Sequence, residues 1–284
     1  MDDDLLDVVE HTLGVRPTAL SPLSGGCVGE VYRATVPGDD VVVKVDRRGS
    51  GGSLDIEGRM LIALRERSEL PVPSVLHAEP GVLVIEHIEN DGRRSDEGEA
   101  EAGRMLAGLH GVISDRYGFN EDTLIGGLPQ PNAWSASWTE FFAEHRIRRF
   151  ARDAERAGAL PRGGLSVLFD LADAMDRVVG LCAAPGLVHG DVWSGNVLWD
   201  KGRVVAFIDP AAHYAEPEVE LAFIELFSCF GAAFWHAYSE VRPRREGWAR
   251  RRAAYQVSPL LVHAVLFGGS YGASAVGRAR DALA

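Results

Sequence analysis

Asp191, Asn196 and Asp209 lie on two neighbouring stretches, LVHGDVWSGNVL and RVVAFIDP. A carboxylate at Asp191 is ionised near neutral pH and can accept the proton of an attacking hydroxyl. Asn196, five positions on, offers a neutral, hard amide oxygen suited to Mg2+, and Asp209 adds a second hard donor. Upstream, VVVKV places Lys44 between apolar residues, and SLDIEGRMLIALRER carries Glu57 on the same stripe as Met60, Leu61 and Leu64. A carboxylate facing a sheet needs a cationic partner, because an unpaired buried charge is costly. Lys44 supplies one, whereas Asp55 would lie on a different face. A lysine held this way can grip nucleotide phosphates. Earlier still, LSGGCVGEVY groups Gly25, Gly26, Cys27, Val28 and Gly29. Glycines let a backbone approach phosphate oxygens closely, although the cluster alone reads equally as a tight hairpin turn. Taken in chain order, the whole set is that of phosphoryl transfer from ATP with Mg2+.

Elements must hold these residues in place. GEVYRATV and DVVVKVD, rich in Val and Tyr around a PGDD turn, read as strands. SLDIEGRMLIALRER reads as a helix with acids in its first turn, and PVPSVLHAE with VLVIEHIE as a hairpin. The expected order to about residue 88 is strand, strand, strand, helix, strand, strand. After NDGRR the pattern turns helical. Met105, Leu106, Leu109, Val112 and Ile113 make one apolar face, with Ser95 as N-cap and Asp96 and Glu97 favourable at the positive helix end. GFNEDTLIGGLPQPN is turn-rich and reads as an ordered loop.

SASWTEFFAEHRIRRFARDAERAG and LSVLFDLADAMDRVVGLC read as two more helices. The second carries a stripe of Leu165, Leu168, Ala172, Met175 and Val179 that predicts a buried Cys182. NVLWD and RVVAFID form strands joined through Lys201 and Gly202, and one such hairpin can bring Asp191, Asn196 and Asp209 together. The tail is helical in EVELAFIELFSCFGAAFWHAY and WARRRAAYQVSPLLVHAVLFGG, with Pro259 marking a kink or break and His263 a satisfied core histidine. The hydrophilic run Glu89–Glu101 is the natural boundary between lobes. The expected architecture is α+β, with residues 1–88 as a small antiparallel-sheet lobe with one main helix. Residues 89–284 form a larger, mostly helical lobe, and the site lies in the cleft between them.

The bulk numbers narrow the classes. A chain of 284 residues that is 46% hydrophobic can bury a sizeable core as one large domain or two. A net charge of −12 argues against nucleic acid or an anionic membrane as partner. Cys27, Cys182 and Cys229 are widely spaced with no C-x-x-C, which suits a reducing cytosol. The acidic start MDDDLLDVVE is the opposite of a signal or transit peptide, and no apolar run approaches the roughly 18 residues of a spanning helix. The expected location is cytoplasmic.

HGDVWSGN follows the pattern H-x-D-x-x-x-x-N of protein kinases, and Asp209 in AFIDP stands where their Asp-Phe-Gly carboxylate would be. More specifically, the chain resembles the fructosamine-3-kinase (ketosamine kinase) family, within the protein-kinase-like group that includes aminoglycoside and choline kinases. The resemblance rests on HGDVWSGNVLW, IDPAAHYAEPEVELAFIELF, GLPQPNAWSASWTEFFAEHRI, YQVSPLLVHAVLFGGSY and LSGGCVGEVYRA, which cover nearly the whole chain in order.

The resemblance implies a bilobal protein-kinase-like fold and ATP-dependent phosphorylation of the 3-hydroxyl of a ketosamine, free or protein-bound. The product is unstable, so the role would be deglycation and repair. It implies Asp191 as catalytic base, Asn196 and Asp209 as Mg2+ ligands, and Lys44 with Glu57 as phosphate clamp. The stretch Ile85–Glu89, with Glu86, His87 and Ile88, would be the hinge beside adenine, and His213 and Tyr214 would be on the substrate side. Trp193 is either a platform for the sugar or its amine, or lobe packing, and His189 is a loop support. Cys27 is either a loop filler or the site of a redox-linked dimer in a protein otherwise expected to be monomeric. The chain departs from the family at Ala215-Glu216, where Gly-Asp is usual, and at Glu220, where an Asp braces the catalytic loop; the added methylene puts that geometry in question. The runner-up is an aminoglycoside- or choline-type kinase. A nucleotide-binding pseudokinase regulator would lack a Lys, Asp or metal ligand that is present here. A protein-serine kinase would need more platform than the short PAAHYAEP provides.

Overall fold

The computed structural model describes residues 3–23, 29–46 and 54–284. The chain opens with helix α1 (Asp3–Leu13), which the strand-rich expectation did not contain. It forms because Leu5, Leu6 and Val9 share one face, and Leu5 and Val9 pack on Val41, Val43 and Val84 of the sheet. The run is short and begins in acids, so its stripe is easily passed over.

The sheet contains β1 (Ala19–Pro22), β2 (Glu30–Thr35), β3 (Val41–Val45), β4 (Val75–Glu79) and β5 (Val82–Glu86) in the antiparallel order β1-β2-β3-β5-β4. Helix α2 (Leu54–Arg67) comes between β3 and β4 in the chain and packs on both β4 and β5. A Cβ on Gly58 would lie 2.6 Å from the Cβ of Ala78. That close approach seats α2 on β4 and β5, from where the Glu57 side chain reaches Lys44 of β3. Central β3 packs Val41, Val43 and Val45 on the α1 side, and its other face, with Val42 and Lys44, lines a cleft.

After the sheet comes α3 (Asp96–Leu109), capped as expected by Ser95, whose side chain accepts from the amide of Gly98 at 3.1 Å. The helix stops at Leu109, so Val112 and Ile113 fall outside it. Ile113 is 65% exposed rather than part of the apolar face. The turn-rich stretch is a small hairpin, β6 (Thr123–Ile125) with β7 (Leu128–Gln130). The next helix is continuous but mixed: α4 (Trp138–Phe142), a π-helical turn (Ala143–Arg148) and α5 (Arg149–Arg156).

The following helix breaks at Ala174 into α6 (Gly164–Asp173) and α7 (Met175–Val179). Gly180, at φ 68, ends α7, so Cys182 lies beyond the stripe and is only half-buried, contrary to expectation. Then β8 (Gly186–Val188) pairs with β11 (His213–Ala215) around the hairpin β9 (Val197–Asp200) and β10 (Arg203–Phe207). The tail has five helices rather than two long ones: α8 (Glu218–Leu226), α9 (Ala232–Val241), α10 (Trp248–Tyr255), α11 (Val257–Phe267) and α12 (Tyr271–Leu283). Pro259 sits in the first turn of α11, where a missing N–H costs no helical bond, and the break falls just before it at Gln256.

One core cluster joins Met60, Leu61 and Leu64 of α2 and Ile85 of β5 to Leu106 of α3, Leu187 of β8 and Phe207 of β10. The sheet region is therefore seated on α3 and on strands β8 and β10. A second core around Trp138, Phe142, Phe150 and Tyr255 holds the helices together. Among the described residues, no helix is long and apolar enough to cross a membrane.

Candidate active site

The loop after β8 is shaped by a close backbone approach. Gly190 has φ 88, and a Cβ there would lie 2.2 Å from the carbonyl oxygen of Ala211, so only glycine fits. Asn196 Nδ2 donates to the carbonyl and to Oδ2 of Asp191, both at 2.9 Å. The same nitrogen lies 3.5 Å from the carbonyl oxygen of Asp209, and Ile208 N donates to Asn196 O at 3.0 Å. These bonds tie the Asp191 loop to the end of β10. Asp209 follows in the left-handed region at φ 54, which is uncommon for a non-glycine residue and characteristic of functional sites.

Lys44 is buried, and its Nζ donates to Glu57 Oε1 at 2.6 Å and to Asp209. Burial alone would lower the ammonium pKa, but Glu57 and Asp209 together raise it and keep the group charged. Asp55, on another face, pairs with Arg59. The expected partnership of Lys44 with Glu57 is therefore present, and Lys44 also touches Asp209 from the far end of the chain.

Glu220, on α8, reaches under the same loop. Its Oε1 accepts from Gly190 N at 2.5 Å, and its Oε2 from His189 N at 3.4 Å and lies 2.8 Å from His110 Nε2. His110 Nδ1 is in turn 2.7 Å from the hydroxyl of Tyr238. The longer glutamate thus still contacts the loop backbone. Burial would raise its pKa, but His110 and the Gly190 amide hold it below the usual value. His189 is fully buried and kept neutral by that burial, and its Nδ1 accepts from Asp191 N at 3.4 Å. It supports the loop from beneath. Asp191 is pushed up to about 7 by burial and by the charge of Asp209, with the Asn196 bond opposing.

Two cavities meet at this loop. A cleft of about 530 Å³ runs between the sheet and the loop, past Lys44, Glu57, Met60, Asn196 and Asp209 to the edge formed by Glu86, His87 and Ile88. The Glu86 carboxylate accepts from Ser74 N and Oγ at 3.1 and 2.8 Å, so its side chain is committed locally. Gly29, at φ 80, would set a Cβ 2.7 Å from the carbonyl oxygen of Val45, which explains a glycine there. Gly25, Gly26, Cys27 and Val28 lie outside the described residues.

The second cavity, about 330 Å³, lies on the other side of the loop among helices. Asp191 and Trp193 line both, and Trp193 is 40% exposed. His213 lines the second cavity. Its Nδ1 is 3.0 Å from Ala211 O, and burial holds its pKa well below the usual value. Tyr214 lines neither. Successive strand residues face opposite ways, and Tyr214 packs between Phe119 and Trp134. Its expected place on the substrate side is corrected to a structural one. His263 is half-buried and bonded through Nδ1 to Pro259 O at 2.9 Å, yet it also lines the second cavity. Phe142, Arg146, Phe223 and Phe227 line it too. Reading the sequence for sites missed them because they belong to distant helices and carry no shared motif.

The donor set suits Mg2+. Among the described residues, no group of three or more His, Cys, Asp and Glu could hold a metal ion alone. Here one carboxylate, Asp209, stands beside an amide whose nitrogen is engaged by Asp191, leaving Asn196 Oδ1 as a hard oxygen donor. Mg2+ is ordinarily bound by few protein oxygens together with substrate phosphates and water, which is the set this leaves room for.

A small antiparallel sheet over a helical body, with the Asp-Asn loop and Asp209 facing a sheet lysine, defines a kinase-like fold. An aminoglycoside phosphotransferase solved with gentamicin shares that fold at a TM-score of 0.67 and 14% identity, covering 99% of this chain and 96% of that one. The chain belongs to the fructosamine kinase family, whose model matches residues 1–284. A chloroplastic protein-ribulosamine 3-kinase of Arabidopsis thaliana is 32% identical over 276 residues, 94% of this chain and 83% of the relative. A solved protein of Thermobifida fusca, described as a candidate fructosamine-3-kinase, is 32% identical with a TM-score of 0.90, covering 100% of this chain and 99% of its own.

Proposed function

We propose that this protein transfers the γ-phosphoryl group of ATP to the 3-hydroxyl of a ketosamine. The observation that carries the reading is the position of Asp191 on the wall shared by the two cavities. A nucleotide in the larger cleft would lay adenine against the Glu86–Ile88 edge and its phosphates toward Lys44. Asn196 and Asp209 would hold Mg2+, which when bound neutralises charge on the transferring phosphate. Lys44, kept charged by Glu57 and Asp209, grips the phosphates from the opposite wall. An acceptor in the smaller cavity presents its hydroxyl to Asp191, which takes the proton as the oxygen attacks. Glu220 and His189 hold that loop from beneath, so the base is already oriented.

The phosphate then sits on C3, and loss of a C1 proton to the enaminol lets the nitrogen lone pair expel it. Water hydrolyses the resulting imine to a dicarbonyl and the free amine, which makes the cellular role deglycation. We place the boundary between nucleotide lobe and acceptor lobe at residues 88 and 89. We also place the protein in the cytoplasm as a monomer, with a redox-linked dimer through Cys27 as its alternative state.

The test is transfer of phosphate from ATP to synthetic ribulosamine and fructosamine, beside an aminoglycoside and choline. Turnover of the ketosamines is expected. Turnover of an aminoglycoside or choline without them would overturn the reading. The acceptor cavity supports this order, because its charged lining includes a cation, Arg146, and a polycation finds only the carboxylates of Asp191 and Glu220 there.

A further inference from the structure

The smaller cavity contains a charge that phosphoryl transfer leaves unused. Arg146 lies in the π-helical turn, is 3% exposed and lines the cavity. Single π-helical turns inside α-helices recur at functional sites. Its Nη1 donates to the carbonyls of Pro131 and His145 at 2.7 and 3.2 Å, and its Nη2 to Asn132 Oδ1 at 2.6 Å. The guanidinium lies 4.7 Å from the ring centre of Phe141. All of these partners are neutral. Among the described residues, no carboxylate oxygen lies within 4.0 Å of the Arg146 guanidinium nitrogens. The charge of Asp122 is felt only from beyond that distance, and burial pushes the guanidinium down to about 9.

A buried cation without a counter-charge is costly to the fold by itself. The surrounding wall offers no remedy, since Phe142, Phe150, Phe223, Phe227 and Val262 are apolar. The two carboxylates on the lining belong to the catalytic loop and its brace. What the cavity lacks, and a ligand could bring, is an anion on an apolar body. A planar guanidinium matches a carboxylate in shape as well as charge.

We propose that the amine-borne arm of the acceptor enters this cavity and ends in a carboxylate that pairs with Arg146. The substrate class is then the ketosamine of a free amino acid with an apolar side chain, which packs on the phenylalanine wall while its sugar hydroxyl faces Asp191. This rests on the ketosamine-kinase reading and refines it.

The experiment compares three ribulose adducts on the whole protein with ATP and Mg2+: those of phenylalanine, phenylalaninamide and phenethylamine. The phenylalanine adduct is expected to have kcat/KM about 30-fold or more above the other two, the difference falling mainly on KM. Arg146→Met, checked for folding by circular dichroism and thermal melting, should abolish that preference, and Arg146→Lys should keep part of it. Equal kcat/KM for the three adducts overturns the inference and leaves the kinase reading standing. Turnover of none of them, nor of ribulosyl-lysine with its α-amine blocked, overturns both. If Arg146→Met does not fold, the ratio of acid to amide on the unaltered protein still decides.

Discussion

On one side of Asp191, much of the cleft wall is aliphatic, but it carries a cluster of charged and polar groups tied to one another: Lys44 to Glu57 and Asp209, and Asn196 to Asp191. On the other side, the cavity is lined mostly by aromatic and aliphatic side chains from α4, α8 and α11, with one buried arginine. On the proposed reading, the polar side would hold phosphates and a cation in one geometry, and its groups are fixed by bonds among themselves. The apolar side would select an acceptor by shape and by the counter-charge that Arg146 lacks. The two meet at the loop that carries the base and at Gly126 in the β6–β7 turn. A change on either side should therefore leave a distinct kinetic signature, and a change at the junction should affect both.

The largest effect belongs to the junction. Asp191→Asn keeps the size of the side chain but cannot accept a proton, and kcat should fall by about 10²- to 10⁴-fold. ATP binding, followed by fluorescence or calorimetry, should persist. Unchanged turnover would remove Asp191 from the mechanism and with it the role of the shared wall.

Next is the polar side alone. Lys44→Met leaves Glu57 and Asp209 facing one another without their cation. Breaking a buried pair from one side typically costs about 3 kcal/mol, which urea unfolding would show. KM for ATP should rise while acceptor binding is little changed. If acceptor binding fell as much as ATP binding, the two cavities would not be separable.

A smaller effect is expected on the apolar side. Phe227 packs at a tilt against Phe223 and stacks on His263, with centroids 4.8 and 4.7 Å apart, and of the two cavities lines the acceptor one. Phe227→Ala should raise acceptor KM by about tenfold, in the range that a lost apolar contact gives, with KM for ATP unmoved. A change confined to ATP would reverse the assignment of the cavities.

The same contrast explains what could be read from the sequence. The polar side was legible because its residues come in short motifs whose spacing is set by one loop or one helix turn. Asp191 and Asn196 share a loop, and Glu57 faces β3 because α2 is amphipathic. Glu220 could be doubted only because side-chain length, not type, was at issue. The contact with Gly190 depends on where α8 begins, and spacing does not give that. The apolar side was not legible, because Phe142, Phe223 and Val262 look like any core residues until three helices converge. The arginine that breaks the pattern was hidden in a helix whose π turn has no clear sequence mark. The fold followed the same rule. Strands rich in β-branched and aromatic residues between turn signals were placed, while α1, α12 and the β6–β7 hairpin were too short or too rich in glycine and alanine to announce themselves.

The smallest predicted effect returns to Asp191 and concerns stability. Its carboxyl, pushed up to about 7 by burial and by Asp209, binds its proton more tightly in the folded protein than in the unfolded chain, where the ordinary value is 3.8. A group raised in this direction contributes stability while protonated and loses it as pH rises from the ordinary carboxylate range through about 7. Asp191→Asn remains neutral throughout and escapes that loss. In a buffer with chelator and no nucleotide, the variant should melt above the unaltered protein, and by more at pH 8 than at pH 5. An equal gap at both pH values would show that the carboxyl is not raised, and that its reactivity as a base comes from position alone. A gap that widens with pH would show that the site keeps its base near the working pH at a cost to the fold, the cost arising from the nearby Asp209 and from burial at the wall shared by both cavities.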